Sequence, residues 1–311
     1  PYIEERGRYL GFSCHGKDLL PKYGEMTPDV IKKGFFGEET KTIQYDDTTV
    51  VDRPPTLCAG CPHRGFFYEV GKRKNVMVSG DIGCYSLGFA KPYNAIDLLL
   101  CMGGGFSIGH GAQKVFNMAK DNKMRVVSVL GDSTFLHSGV NSLMDVVYNN
   151  SNTISVILDN RITGMTGHQE NPGTGYNAKG QEATMIDIEG IVKAMGIKHI
   201  RTIDPNNINE VKTVLDDFLA LDEPSVIITK WPCALKKFSK EDKEQFAGAF
   251  TKSMTVNTDK CIGCKICMKS GCPAISFDAE NKKAVIDGIQ CVGCGVCSQL
   301  CPKDAIEWKE A

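Results

Sequence analysis

Cysteine spacing constrains this chain more than any other feature. Of its 14 cysteines in 311 residues, eight fall in two runs, Cys261-x2-Cys264-x2-Cys267-x4-Cys272-Pro273 and Cys291-x2-Cys294-x2-Cys297-x3-Cys301-Pro302. A disulfide framework would need an oxidising compartment, and nothing in the sequence suggests secretion. Zinc sites take four ligands in two pairs, whereas each run here is a triad followed by a distant fourth. The other six, Cys14, Cys58, Cys61, Cys84, Cys101 and Cys233, are scattered. Two regions of different chemistry follow, and the length suits one large domain and at least one small one. With 36 Lys and Arg against 37 Asp and Glu, charge is too balanced for nucleic acid or an anionic membrane to be the main partner. No apolar run approaches the roughly 18 residues of a membrane span, and the start, PYIEERGRYL, is charged rather than signal-like. A soluble, cytoplasmic protein is expected. The first residue is Pro1, not Met, so the chain is expected to begin inside a longer polypeptide.

The paired runs resemble the bacterial two-cluster ferredoxin pattern, in which three close thiolates hold three irons of a [4Fe-4S] cube and the fourth comes from the other run. On that resemblance Cys261, Cys264, Cys267 and Cys301 hold one cluster, and Cys291, Cys294, Cys297 and Cys272 the other. Residues 255–311 become a small α+β ferredoxin-like domain. The first run carries x4 where the pattern has x3, and Gly271 is placed to absorb the extra residue. Gly263, Gly293 and Gly295 would let amides approach the sulfides.

Between residues 74 and 231, short β-branched runs (NVMVSGD, RVVSVLGD, TISVILDN, SVIITKW) alternate with stretches of three- and four-residue apolar spacing (GHGAQKVFNMAKD, HSGVNSLMDVVYNN, IDIEGIVKAMG). Strand, helix, strand at these lengths predicts an α/β fold with right-handed crossovers and a mostly parallel sheet. In such sheets ligands bind outside the carboxyl ends of the strands. Those ends are Gly80-Asp81-Ile82-Gly83-Cys84, Gly131-Asp132-Ser133-Thr134 and the run from Asp159 to Gly167. Asp132 and Asn160 are oxygen donors suited to a hard divalent cation carrying a diphosphate, and a helix starting after Ser133 would offer amides to the phosphates.

Gly131-Asp132-Ser133, followed twenty-nine positions after Gly131 by Asn160, resembles the magnesium and thiamine diphosphate motif, with Ser133 where many members have Gly. RPPTLCAGCPHRG (Arg53 to Gly65), GDIGCYSLG (Gly80 to Gly88), CMGGGFSIGHG (Cys101 to Gly111), GDSTFLHSG (Gly131 to Gly139) and DNRITGMTGHQ (Asp159 to Gln169) are similar to the alpha subunit of indolepyruvate:ferredoxin oxidoreductases, over nearly the whole chain.

The resemblance implies that Asp132, Asn160 and the carbonyl of Ile162 bind Mg²⁺, with Gly131, Ser133, Thr163, Gly164 and Met165 around the diphosphate of thiamine diphosphate. Met102 and Gly103 would lie against its rings, and Cys61, His63, Asp81 and Cys84 would line the reactive carbon. Plainer readings stand beside these: Met102 as core filler, Cys84 as a buried small hydrophobe, His63 as a helix cap, and Cys58-x2-Cys61 as site-lining thiols rather than a redox or zinc pair. His15, His110, His168 and His199 are taken as structural, and the role of His137 is open. The implied reaction is oxidative decarboxylation of aryl 2-oxo acids such as indolepyruvate, with coenzyme A as co-substrate and electrons leaving through two [4Fe-4S] clusters to ferredoxin. Alternatives are a pyruvate or branched-chain 2-oxo acid:ferredoxin oxidoreductase and a non-catalytic electron-transfer subunit. The expected organisation is 1–51 as the end of a preceding domain and a linker, 52–232 as the thiamine diphosphate and Mg-binding domain, 233–254 as a linker with some helix, and 255–311 as above. The partners implied are an N-terminal half of the alpha subunit and a smaller beta subunit, in a hetero-oligomer.

Overall fold

The computed structural model describes every residue except Pro1, Thr42, Lys120, Glu310 and Ala311. The outermost ends of the first and last expected segments therefore lie outside the described residues. The chain divides into two compact units, one ending at Pro54 and one beginning at Pro55. The first holds two short helices, α1 (Tyr2–Tyr9) and α2 (Pro28–Phe36), the second capped by the Thr27 side chain and closed by Gly37 at φ 67°.

The second unit is built on a five-stranded sheet of β1 (Val76–Ser79), β2 (Arg125–Gly131), β3 (Ile154–Asp159), β4 (His199–Ile203) and β5 (Ser225–Lys230), in the order β1-β2-β3-β5-β4. Every pairing is parallel, as the alternation of apolar runs and helices predicted. Central strands are buried on both faces, which is why they read as continuous apolar runs. Val127, Val129, Leu158 and Ile227 pack on one face against Phe66 and Phe67 of α3 (His63–Val70) and the later Val211 and Leu215. Leu130, Ile157, Val226 and Ile228 pack on the other against Phe106 of α4 (Gly105–Met118) and Leu143 and Val146 further on.

The helix after β2 is continuous but uneven. It starts as α5 (Asp132–Thr134), passes through a π turn (Phe135–Gly139) and runs on as α6 (Val140–Tyr148). α7 (Ile188–Ala194) leads into β4, and α8 (Ile208–Leu219) into β5. α8 presents Ile208, Val211, Val214, Leu215 and Phe218 to the core and is capped by the Asn207 side chain.

The segment 233–254 departs from the expected linker. It packs onto the α/β body through Phe246 and Phe250 against Trp231, and carries α9 (Lys240–Gln245), whose capping box joins Ser239 and Asp242. Asp242 is fully buried between Arg161 and Lys236. Its lysine-rich composition hid this, because those lysines that face water dominate the pattern.

Two small antiparallel ladders follow, β6 (Met254–Val256) with β9 (Ile306–Trp308) and β7 (Ile275–Asp278) with β8 (Lys283–Ile286). With α10 (Val296–Gln299) they enclose a core to which the cysteines themselves contribute. This tail is tied to the sheet body: the Gln299 side chain accepts from the Ile208 amide (3.0 Å) and donates to the Asn206 carbonyl (2.7 Å). Among the described residues no helix is long and apolar enough to cross a membrane.

Candidate functional site

Parallel strands bring β2 and β3 side by side, with Gly131 opposite Leu158, so the residues just past them share one rim. A cavity of about 520 Å³ opens there. It is walled by Ile82 to Tyr85 beyond β1, Met102 before α4, Gly131 to Thr134, and Asn160 and Ile162 to Thr166 beyond β3. Gly131 is required by packing: a Cβ there would lie 2.6 Å from the Tyr85 ring. Tyr85 donates to the Ile82 carbonyl (2.8 Å) and meets the Thr134 hydroxyl (3.2 Å), locking the β1 end to α5.

Asp132 opens the helical run, where unpaired amides and the helix dipole favour an anion. Burial and the neighbouring Asp159 push its carboxyl well above the usual carboxylate range, so a cation in front of it would favour the ionised form. Asn171 donates to its Oδ2 at 2.9 Å, while the Asn171 Oδ1 accepts from the Gly173 amide. Asn160 Oδ1 accepts from the Ile162 amide (3.2 Å). Between them Arg161 takes a left-handed φ of 64°, a strained setting for a non-glycine residue. Its guanidinium reaches Asp242 (3.3 Å) and the Gly173 carbonyl (2.9 Å). These residues suit Mg²⁺ and a diphosphate.

Of the residues expected at this site, Gly131, Asp132, Ser133, Asn160, Ile162, Thr163, Gly164, Met165, Met102 and Cys84 line one cavity. Met102 and Met165 are half exposed at its mouth, which excludes Met102 from the core. Four others stand behind the wall. Asp81 is fully buried, and its carboxylate accepts from the amides of Ile82, Gly103 and Gly105. It shapes the loop from Cys101 to Gly105, three of its acceptor sites being taken by backbone amides. Gly103 is spent on the same contact. Cys61 is buried in the core, its thiol pushed up to about 12 by burial. His63 is buried edge-on to Tyr85 with neither ring nitrogen hydrogen-bonded, and burial lowers it to about 4.

Cys58 and Cys233, scattered in sequence, gather near Cys61 and Cys84, close enough for each thiol to sense others of the set. The Cys233 sulfur lies 3.7 Å from His168 Nε2. Asn171, Tyr85 and Cys233 had no signal in the sequence, because each meets its partners only through the fold.

The tail holds two further cavities. One, about 360 Å³, gathers Cys261, Cys264, Cys267 and Cys301. The other, about 400 Å³, gathers Cys272, Cys291, Cys294 and Cys297, together with Ala59, Gly60 and Arg64 of the α/β body. Gly271 takes φ 64°, so the extra residue of the first run is absorbed in a left-handed turn. Burial pushes Cys294 up to about 11, and burial with the neighbouring thiols pushes Cys297 up as well. Thiols crowded this way ionise only against a cationic centre. Amides of Met254 and Ala305 point at the sulfurs of Cys291 (3.3 Å) and Cys301 (3.2 Å), the contacts iron-bound thiolates take. The donors fit two [4Fe-4S] cubes.

Comparisons with known proteins agree with this division. Residues 81–229 match the thiamine pyrophosphate enzyme C-terminal TPP-binding domain, and residues 253–302 the 4Fe-4S dicluster domain. Over 99% of its length the chain is 36% identical to the indolepyruvate oxidoreductase subunit IorA of Pyrococcus horikoshii and 38% to that of Thermococcus kodakarensis. It spans about half the length of these curated relatives, 51% of each. Among solved structures, the 2-oxoglutarate:ferredoxin oxidoreductase from Magnetococcus marinus shares the fold at TM-score 0.53 and 17% identity, over 63% of this chain and 70% of that one.

Proposed function

The chain belongs to the family of indolepyruvate oxidoreductase subunits named IorA, and from that premise we propose that it carries the thiamine diphosphate site and the electron outlet of an aryl 2-oxo acid:ferredoxin oxidoreductase. The reaction is oxidative decarboxylation of indolepyruvate and related arylpyruvates, with coenzyme A taking the acyl group and ferredoxin the electrons. One observation carries the reading. The turn Cys58-Ala59-Gly60-Cys61 supplies Ala59 and Gly60 to the cavity of Cys272, Cys291, Cys294 and Cys297, while Cys61 at its end neighbours Cys84 of the cofactor cavity. A decarboxylating site and a redox centre thus sit on two sides of one turn, an arrangement a simple decarboxylase has no use for.

Bound thiamine diphosphate supplies the electron sink for loss of CO2. Asp132, Asn160 and the Ile162 carbonyl would hold its Mg²⁺, Ser133, Thr163, Gly164 and Met165 its diphosphate, and Met102 its rings. Asn171 would keep Asp132 aimed, and Tyr85 would brace the wall. The open mouth at Met102 and Met165 suits closure by an N-terminal half and a smaller beta subunit, in a cytoplasmic hetero-oligomer.

An anaerobic assay on the complete complex, with Mg²⁺ and thiamine diphosphate, tests this by comparing indolepyruvate, phenylpyruvate and pyruvate for coenzyme-A-dependent ferredoxin reduction. Faster reduction with the aryl substrates is expected. Preference for pyruvate would overturn the substrate; no reduction with any oxo acid despite full cluster loading would overturn the enzyme reading.

A further inference from the structure

Arg64, the second residue of α3, is fully buried. Its Nε donates to the Cys58 carbonyl (2.8 Å), Nη1 to the Tyr93 hydroxyl (2.8 Å) and the Ser270 carbonyl (3.2 Å), and Nη2 to the Leu57 carbonyl. All four acceptors are neutral. Among the described residues no carboxylate pairs with the guanidinium, whereas the other buried arginine, Arg161, has Asp242. A buried cation that satisfies its hydrogen bonds but not its charge costs several kcal/mol, and an uncompensated one calls for a counter-charge.

The cavity beside it offers one. Arg64 lines the space ringed by Cys272, Cys291, Cys294 and Cys297. An iron-sulfur cube held by four thiolates is a net anion that gains one further negative charge on taking up an electron. We propose that Arg64 is the buried counter-charge of the cluster held by Cys272, Cys291, Cys294 and Cys297, and sets its reduction potential above that of the other cluster. This rests on the cluster reading above.

The two cavities differ in the required way. The one holding Cys261, Cys264, Cys267 and Cys301 has exposed Lys265 and Lys303 on its rim and half-buried Lys283 donating to the Cys261 carbonyl (2.5 Å). Water reaches all three, the rim lysines fully and Lys283 in part, so they weigh less on their cluster than a fully buried cation does. Arg64 acts through low-dielectric protein, where the same charge counts for more. A single electron leaving the cofactor side therefore meets first the cluster whose reduced form is stabilised, one of the levers by which proteins tune such centres. Hydrogen bonding to Ser270, two residues before Cys272, also makes Arg64 a positioning residue, so charge and position must be separated.

Arg64→Gln removes the charge and keeps hydrogen-bonding capacity, Arg64→Lys keeps the charge, and Tyr93→Phe removes one hydrogen bond alone. Each is made in the complete complex and purified anaerobically. Iron and acid-labile sulfide are measured first, which tests the cluster reading itself, and the two midpoints are then followed by electron paramagnetic resonance during a redox titration. In Arg64→Gln one midpoint should move toward the oxidised form by at least tenfold in its equilibrium, 59 mV for a one-electron couple, while the other stays. Arg64→Lys and Tyr93→Phe should shift it less than tenfold. Unmoved midpoints in a fully loaded Arg64→Gln complex would overturn the proposal, as would a tenfold shift in Arg64→Lys or Tyr93→Phe. A tenfold shift in either of the last two refutes the charge assignment even where Arg64→Gln does not assemble.

Discussion

Changing Asp242 to Asn tests whether a buried charge cluster holds the cofactor rim. Its carboxylate is fully buried and faces two cations, Arg161 at 3.3 Å and Lys236, both with side chains 4% exposed. Burial alone would raise Asp242, but the Lys236 hydrogen bond, the Ser239 amide and the two positive charges outweigh it and hold the group below the usual carboxylate range. A depressed carboxylate contributes stability above its unfolded value of 3.8 and loses it only as pH falls through the lower folded value, so the effect is complete at neutral pH. Asn keeps the shape and takes from Lys236 and the Arg161 guanidinium the carboxylate they both pair with. Breaking a buried pair this way costs about 3–5 kcal/mol, or roughly 6–20 °C in melting temperature for a domain of this size. Thermal unfolding of the complete complex followed by circular dichroism measures it, with Asp216→Asn as reference, since the Arg73–Asp216 pair is half exposed on the Asp216 side and worth about 0–1 kcal/mol. A loss in Asp242→Asn no larger than in Asp216→Asn would refute the reasoning. Bound thiamine diphosphate should fall in parallel, because Arg161 sits between Asn160 and Ile162 and loses its anchor.

Three further outcomes are expected. Asn171→Ala removes the donor that aims Asp132 and should weaken Mg²⁺-dependent thiamine diphosphate binding about 10–100-fold, the usual effect of losing such a supporting contact, read by calorimetry with cluster content unchanged. His63 is lowered to about 4 by burial from 6.5, so between those values the unfolded chain binds the extra proton and stability drops by about 1.4 kcal/mol per pH unit on acidification; denaturant titrations of His63→Phe should lack that slope. Gly109→Ala would drive a methyl into the Ser128 hydroxyl between α4 and β2, and overpacking of this kind costs about 1–3 kcal/mol, visible as a lower denaturation midpoint.

The sheet was legible because strands buried on both faces must be apolar throughout: Val126 to Leu130 and Ile154 to Leu158 announce themselves. β4 was missed because it is an edge strand, with Arg201 and Thr202 exposed and only Ile203 buried, so its pattern matches a loop. α8 was missed although Asn207 and its apolar spacing were in view. The cofactor rim could be read from Asp132, Ser133 and Asn160 because those positions follow strand ends directly. Asp81 also follows a strand end, and nothing local distinguishes a carboxylate facing a ligand from one that accepts three backbone amides. Arg64 was out of reach for another reason: it meets Ser270 across 206 positions. Contacts at that separation leave no periodic trace.

The side chain of Gln299 bonds both backbone groups at the entrance to α8, and its neighbours Val296 and Leu300 pack with Ile208. A protein engineer would be wrong to treat the tail as a detachable cartridge. Cutting the chain near residue 254 strips the first turn of a core helix and opens Arg64 to solvent. A graft from another oxidoreductase would have to reproduce the glutamine, the two apolar residues and the Ser270 carbonyl before any current could flow through it. Electron carrier and catalytic body are thus built to be inherited together.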